Sequence, residues 1–537
     1  MIDHESVDSG YKRSVLAVLM TMFAILPAFG HQNSIQARTQ RVLEVQQLIS
    51  SNDLAQATQL LEKLTLEYPT YSGFYNLRGI VAARESNTRL AEQSFLKAVW
   101  LSPKFTAAYL NLGRLYQEAS GADPEMKHKA LDAYRHVLRY DTQNKEARYQ
   151  AAFLLMQQGA YRQSLDQLAL INAQGESSTL VLSVTAADNA MLGRTKQASE
   201  AVSLWMAQPS LAGPDVQQAL PYLARGKRYD LLLELLEQLQ KQGSLPPEML
   251  NSLGLAYQAT GHLKKARGTF EQVFAQSTSS AAPLLELATV ANQQRDYKGA
   301  LGYLAHAQTI DPKNSRISYS FGVDCLYLGL LAEAQKAFSK AVELEPDNAP
   351  YNYAMGITTS YMHDPNEGVP YLEKYADLRP KDPNGILAVG TALFRAKDYD
   401  AASSWLSRAS LKPQTSLEAH YYLARIANRQ RRTADAIAEL GKVLKVDPNN
   451  SEAWAELGQS YLLEKNYGKA EADLQHALSL DSNNYTANFN LLVVYTQVKD
   501  SRRIAQASRV QEIRKLDSAK KQEYLRILEI RPNTGPE

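Results

Sequence analysis

Residues 451–484 read SEAWAELGQSYLLEKNYGKAEADLQHALSLDSNN, and this stretch decides the fold. Trp454, Leu457, Gly458, Tyr461, Ala470, Leu474 and Ala477 are spaced W-x2-LG-x2-Y-x8-A-x3-L-x2-A. The large apolar members recur every three or four residues on either side of a polar turn, the signature of two short amphipathic helices. Thirty-four residues upstream stand His420, Leu423, Ala424, Ala427, Ala436, Leu440 and Val443, with Pro448 closing the unit. Gly390, Ala402, Leu406 and Ala409 repeat the step, then Gly356, Gly368, Leu372 and Pro380, then Gly322, Ala334, Phe338, Ala341 and Pro346.

Units therefore start near residues 38, 72, 106, 145, 179, 213, 247, 281, 315, 349, 383, 417, 451 and 485. The unit at Thr106 is five residues longer, around Ser120–Glu125, and the one at Tyr485 is looser, with Leu491, Tyr495 and Ala505 off by one. Position eight is Gly or Ala in eleven of the thirteen full units, Val45 and Leu220 being the exceptions. Position twenty is Ala, Gly or Ser in twelve of thirteen, the exception being Leu232. Small residues there let two helix backbones approach, and a large side chain would overpack by about 1–3 kcal/mol. Position twenty-four is always large and apolar (Leu61, Phe95, Tyr134, Leu168 and onward), which predicts a side chain filling the groove between one unit and the next. Pro69, Pro103, Pro312, Pro346, Pro380 and Pro448 stop the second helix.

This pattern resembles the tetratricopeptide repeat over residues 38–500 or so. The resemblance implies an all-α, right-handed superhelical solenoid of about 13–14 antiparallel helix pairs, with first helices lining a concave groove. The array is expected over 38–515, after a short linker at 31–37. A capping helix at 516–530 covers the last apolar face, and 531–537 is a disordered tail.

Composition removes several function classes. Lys+Arg 58 against Asp+Glu 56 in 537 residues gives a formal charge of +2, far from a basic nucleic-acid protein. The single cysteine, Cys325, rules out an intrachain disulfide, a cysteine-based zinc site and a CxxC redox pair, and a buried, inert thiol is expected. Nine histidines include no HExxH pair, and His306 and His476 occupy the same slot of separate units, which points to packing. There is no Walker loop, no GxSxG and no GxGxxG after a strand, so no enzyme, cofactor or metal is expected.

Lys12 and Arg13 precede an apolar run, Ser14 to Leu26, then Pro27, Ala28, Phe29 and Gly30. A basic start, a short apolar core and small residues before the cut make residues 1–30 a signal peptide, so export to the periplasm or outside the cell is expected. The alternative is an uncleaved segment anchoring the chain to the membrane and facing outward.

The function expected of such an array is a non-enzymatic scaffold holding an extended peptide or protein segment in the groove. By the resemblance, positions two, five, nine, twelve and thirteen of the first helix face that groove. They read Tyr319, Val323, Leu326 and Tyr327, then Tyr353, Ile357, Ser360 and Tyr361, then Phe394 and Arg395, then Tyr421, Arg425, Asn428 and Arg429. Tyr and Arg are enriched where binding energy concentrates, although in a chain with 30 tyrosines the same pairs could simply fill inter-unit space. No unit carries Lys at position five with Asn at position nine, which disfavours a cytosolic heat-shock chaperone as partner. Alternatives are a passive envelope-assembly or spacer scaffold and, more remotely, an enzyme linked to such repeats or an RNA-binding helical repeat.

Overall fold

In a computed structural model the described residues are 32–121, 123–172, 178–209, 211, 213–362 and 364–515. They form 28 α-helices and no strand. The chain divides into two units, Met1–Gly243 and Ser244–Glu537. The first holds α1 (Gln32–Ser50), α2 (Leu54–Glu67), α3 (Ser72–Arg84), α4 (Thr88–Leu101), α5 (Thr106–Ala119) and α6 (Pro124–Tyr140). It continues with α7 (Lys145–Gln157), α8 (Tyr161–Asn172), α9 (Thr179–Met191), α10 (Thr195–Met206), α11 (Gly213–Arg225) and α12 (Tyr229–Gln242). The second holds α13 (Pro247–Ala259), α14 (Leu263–Gln276), α15 (Ala282–Gln293), α16 (Tyr297–Ile310), α17 (Ser315–Tyr327), α18 (Leu331–Leu344), α19 (Ala349–Met362) and α20 (Pro365–Leu378). It ends with α21 (Pro383–Arg395), α22 (Tyr399–Ser410), α23 (Ser416–Arg429), α24 (Thr433–Val446), α25 (Ser451–Leu463), α26 (Tyr467–Leu480), α27 (Tyr485–Gln497) and α28 (Arg503–Lys515).

Each 34-residue period is one odd-numbered helix followed by one even-numbered helix, and in the second unit every helix packs on its neighbours along the chain. Asp and Asn side chains start many of them. Asp53, Asn87, Asn144, Asp398, Asn450 and Asn484 each accept a hydrogen bond from the first-turn backbone N–H three residues on. The turn inside the pair has a fixed device that the sequence pattern did not reveal. Position fifteen is left-handed in twelve pairs: glycine at 159, 193, 261 and 329, but Asn52, Ser86, Lys227, Arg295, Lys397, Arg431, Lys465 and Lys499 elsewhere.

The seam inside each pair explains the small residue at position eight. A Cβ on Gly254 would sit 2.5 Å from the Phe270 ring, one on Gly322 2.6 Å from Phe338, and one on Gly458 2.6 Å from Leu474. Those large partners are all position twenty-four of the same unit. Position twenty-four also packs against the following unit, as expected: Leu61 shares a core with Phe74 and Leu77, Tyr134 with Ala147 and Ala151, and Leu474 with Ala487 and Leu491; the close approach to the glycine of its own pair is the added feature. Phe270, Phe338 and Leu474 are completely buried there, each contributing about 1.5–3 kcal/mol of apolar burial.

Two expectations need correction. The stretch read as a linker over 31–37 is helical from Gln32, because no Gly or Pro interrupts 32–37 and α1 simply starts early. The repeat also does not stack evenly through the unit at Gly213. There α11 packs chiefly on α9 rather than on α10, and only modestly on α12. Two of the three exceptions to the small-residue rule, Leu220 and Leu232, fall in α11 and α12, where bulky side chains hold the two backbones apart. The signal segment 1–30, the capping helix 516–530 and the tail 531–537 lie outside the described residues. No described helix is long and apolar enough to cross a membrane.

Candidate binding groove

The odd-numbered helices α17, α19, α21 and α23 carry the ten residues singled out from the sequence, and burial separates them. Tyr353, Tyr421 and Asn428 are buried, at 4%, 8% and 3% exposure. Tyr353 belongs to the core with Leu372, Leu387 and Leu406, its ring 4.9 Å from that of Tyr375. Burial pushes the Tyr353 and Tyr421 phenols well above their ordinary value, as expected of rings without water. Tyr319 is half-buried between Tyr351, at 4.9 Å, and Phe338, at 5.7 Å. The position-five tyrosines therefore pack between helices, and Tyr353 is a core side chain.

Position thirteen differs. Tyr327, Tyr361, Arg395 and Arg429 stand one per pair on four successive odd-numbered helices; Tyr327 and Arg429 are exposed, Tyr361 and Arg395 half-buried. Tyr327 stacks on Tyr297 with centroids 4.4 Å apart and planes 5° from parallel. The Arg395 guanidinium carbon lies 3.2 Å from the Tyr361 ring centroid, a cation–π contact worth about 0.5–2 kcal/mol.

Beneath this row lies a polar core that fixes Arg425. Its guanidinium carbon is 4.8 Å from the Phe394 ring and 5.4 Å from both Tyr421 and Tyr422. Its Nε is 3.4 Å from an oxygen of Glu456, which is only 5% exposed. Asn428 donates to the Glu456 carbonyl at 3.1 Å and to its carboxylate at 3.3 Å. Ser460 donates to the Asn428 side-chain amide oxygen at 2.8 Å, and Tyr421 donates to Glu452 at 3.2 Å. Burial raises the Glu456 carboxyl above the usual carboxylate range, with Arg425 and Asn428 opposing that rise. Sequence reasoning placed Arg425 and Asn428 here but missed Glu456 and Ser460. A glutamate and a serine on α25 carry no local signal that they face the preceding pair.

A second pair of buried carboxyls lies outside the groove. Asp188 on α9 and Asp324 on α17 are fully buried at position ten of their units. Burial pushes Asp188 up to about 8 and Asp324 up to about 7, with Ser164 and Asn292 respectively favouring the charged form. Cys325, next to Asp324, is buried and its thiol is pushed up to about 11, the state of an unreactive side chain. His306 and His476 meet Phe274 at 5.3 Å and Trp454 at 4.7 Å edge-on. No group of three or more His, Cys, Asp and Glu among the described residues could hold a metal ion.

The tetratricopeptide-repeat family model matches residues 251–315 and 421–485, and a second model of the same repeat matches 321–348. The model for subunit 3 of the anaphase-promoting complex, cyclosome, matches residues 362–443. No curated protein matches the sequence. Among solved structures, the hetero-tetramer Cut9–Hcn1 of that complex is 15% identical, with 91% of this chain and 95% of that one covered and a TM-score of 0.36. A tetratricopeptide-repeat protein from Parabacteroides merdae is 16% identical, covering 46% of this chain and 98% of the other at a TM-score of 0.37. PilF of Pseudomonas aeruginosa is 20% identical over 38% of this chain and 94% of its own, at a TM-score of 0.33. No functional assignment follows from likenesses of this size. The helix pairs over residues 251–315, 321–348 and 421–485 are tetratricopeptide repeats, and the remaining described residues continue as all-α helix pairs.

Proposed function

We propose that the chain is an exported, non-enzymatic scaffold that captures an extended segment of a partner protein along α17, α19, α21 and α23. The supporting observation is the position-thirteen row: Tyr327, Tyr361, Arg395 and Arg429 recur once per pair, with the two arginines at one end. An extended peptide meets such a row through alternate side chains, aromatic residues contributing area and arginines binding carboxylates. Below it, Arg425 is held by three rings and Glu456 and supports the row rather than forming it. Export rests on the basic and apolar pattern of residues 12–30.

The test is a peptide array of envelope-protein segments probed with the full chain. Replacing Tyr327, Arg395 and Arg429 together by Ala should abolish capture while helicity is unchanged. Equal capture by the triple variant would leave the passive-spacer reading in its place. For export, N-terminal sequencing of the mature protein should begin at or near His31, and an intact Met1 in a soluble cytoplasmic fraction would refute it.

A further inference from the structure

Short turns and the pairing of position eight with position twenty-four make the helices of each pair antiparallel, so α2, α4 and α6 all end on one edge of the first unit. The start of α1 lies on that edge too, since the Arg38 guanidinium carbon is 5.6 Å from the ring of Tyr71, just beyond α2. Three large side chains project from it into water: Leu66 of α2, 84% exposed, Trp100 of α4, 70% exposed, and Tyr140, the last residue of α6. Leu66 and Trp100 hold the same position, twenty-nine, of successive units. Positions twenty-six to thirty-four of these three units, residues 63–71, 97–105 and 136–144, carry Lys63, Lys97, Lys104 and Arg139 against Glu67 and Asp141. The Lys97 amine lies 3.9 Å from the Trp100 ring centroid, and Asp141 already accepts from the Asn144 amide at 2.9 Å. The same positions of the next three units hold one acid, Glu176, and one base, Lys241, and their one aromatic ring, Trp205, is fully buried.

This chemistry fits a lipid surface. Trp and Tyr settle at the boundary between headgroups and acyl chains, and each Lys or Arg close to an anionic bilayer adds attraction. A protein partner fits less well, because lysine is depleted at the centre of protein interfaces and here Lys97 caps the indole. The path of the chain points the same way. The apolar run of residues 14–26 ends five residues short of α1, so the chain enters the array at this edge, and a bilayer holding that run would have the edge beside its headgroups. We infer that the edge formed by the ends of α2, α4 and α6 is a docking surface for an anionic lipid membrane, with Leu66 and Trp100 entering the interface and the surrounding lysines and Arg139 meeting phosphate headgroups. Removal of residues 1–30 leaves every one of these side chains in place, and none of them belongs to the proposed groove.

The test attaches an environment-sensitive fluorophore to the full chain through Leu66→Cys, Trp100→Cys or, as control, Thr88→Cys. Thr88 is exposed at the start of α4, about 18 Å along the same helix from Trp100. Cys325 is buried with its thiol pushed up to about 11, so it does not compete for the label. The labelled chains are mixed with vesicles of phosphatidylglycerol and phosphatidylethanolamine that carry a quencher on their acyl chains. The expected result is about twofold quenching with a blue shift at positions 66 and 100 and none at 88. Vesicles of phosphatidylcholine alone should quench much less, and replacing Lys63, Lys97 and Lys104 by Gln should weaken the effect by about fivefold per lysine. All the substituted side chains stand at the surface, so the variants should melt with the wild type. No quenching at positions 66 and 100, equal quenching at 88, or equal quenching in phosphatidylcholine would each overturn the assignment; a protein docked on this edge instead would leave both probes unquenched by vesicles.

Discussion

Replacing Asp324 by Asn should stabilise the protein at neutral pH and leave it unchanged in acid. Asp324 is fully buried on α17, and its carboxyl is pushed from 3.8 up to about 7. In the unfolded chain the same group titrates near its ordinary value. Below that value both states hold the proton, and Asp324 contributes no pH dependence. As the pH rises towards 7, the unfolded chain releases the proton while the native helix keeps it, so stability falls throughout that window and levels off above it. A shift of about three units corresponds to an upper bound of about 4 kcal/mol, and local relaxation with water entry brings the expected cost nearer 2 kcal/mol. Asn keeps the shape and the approach to Asn292 but cannot ionise. The assay is native-state hydrogen exchange of α17 amides at about pH 4 and about pH 8, supported by thermal melting, because long repeat arrays open locally rather than in one step. Asp324→Asn should gain about 2 kcal/mol at the higher pH and nothing at the lower. An equal gain at both, or a loss at pH 8, would refute the reasoning. Asp188→Asn should behave in the same way, with its window reaching about pH 8.

Other substitutions separate packing from binding. Tyr353→Ala should cost about 3 kcal/mol and lower the melting temperature, whereas Tyr327→Ala on the exposed row should leave melting unchanged; equal melting of the two would contradict the burial assigned to Tyr353. Lys397→Gly and Arg431→Gly, at left-handed positions with φ of 64° and 59°, should each add up to about 1 kcal/mol, and loss of stability would show that those turns are not left-handed in solution. Ala300→Arg drives a charge into a completely buried helix seam and should lower the melting temperature sharply; unchanged melting would contradict the repeat register.

The period and the small residues were legible because they obey a local rule: Gly322 and Ala334 must be small wherever their helices touch, and eleven of the thirteen full units repeat the rule at both positions. The partner of position twenty-four was not, since the sequence shows that Phe338 is large without showing that it lies across Gly322. The left-handed turn was half-visible, as Gly159, Gly193, Gly261 and Gly329 mark it, while lysine and arginine at the same place do not suggest it. Leu220 and Leu232 stood out as exceptions, and the structure gives their consequence in the altered packing of α11. At the groove, tyrosine is ambiguous because its ring packs as well in a core as on a surface. What separates buried Tyr353 from exposed Tyr327 is the neighbouring helix, with Tyr375 against one and Tyr297 stacked on the other.

The most direct test of the groove is site-specific photo-cross-linking in the full chain, with the probe placed in turn at Tyr327, at Arg429, and at Lys340 and Lys442 on even-numbered helices as controls. The account predicts that the same partner segment is labelled from both Tyr327 and Arg429 and not from the two lysine positions. Labelling of equal strength from Lys340 or Lys442, or none from the position-thirteen row, would contradict it.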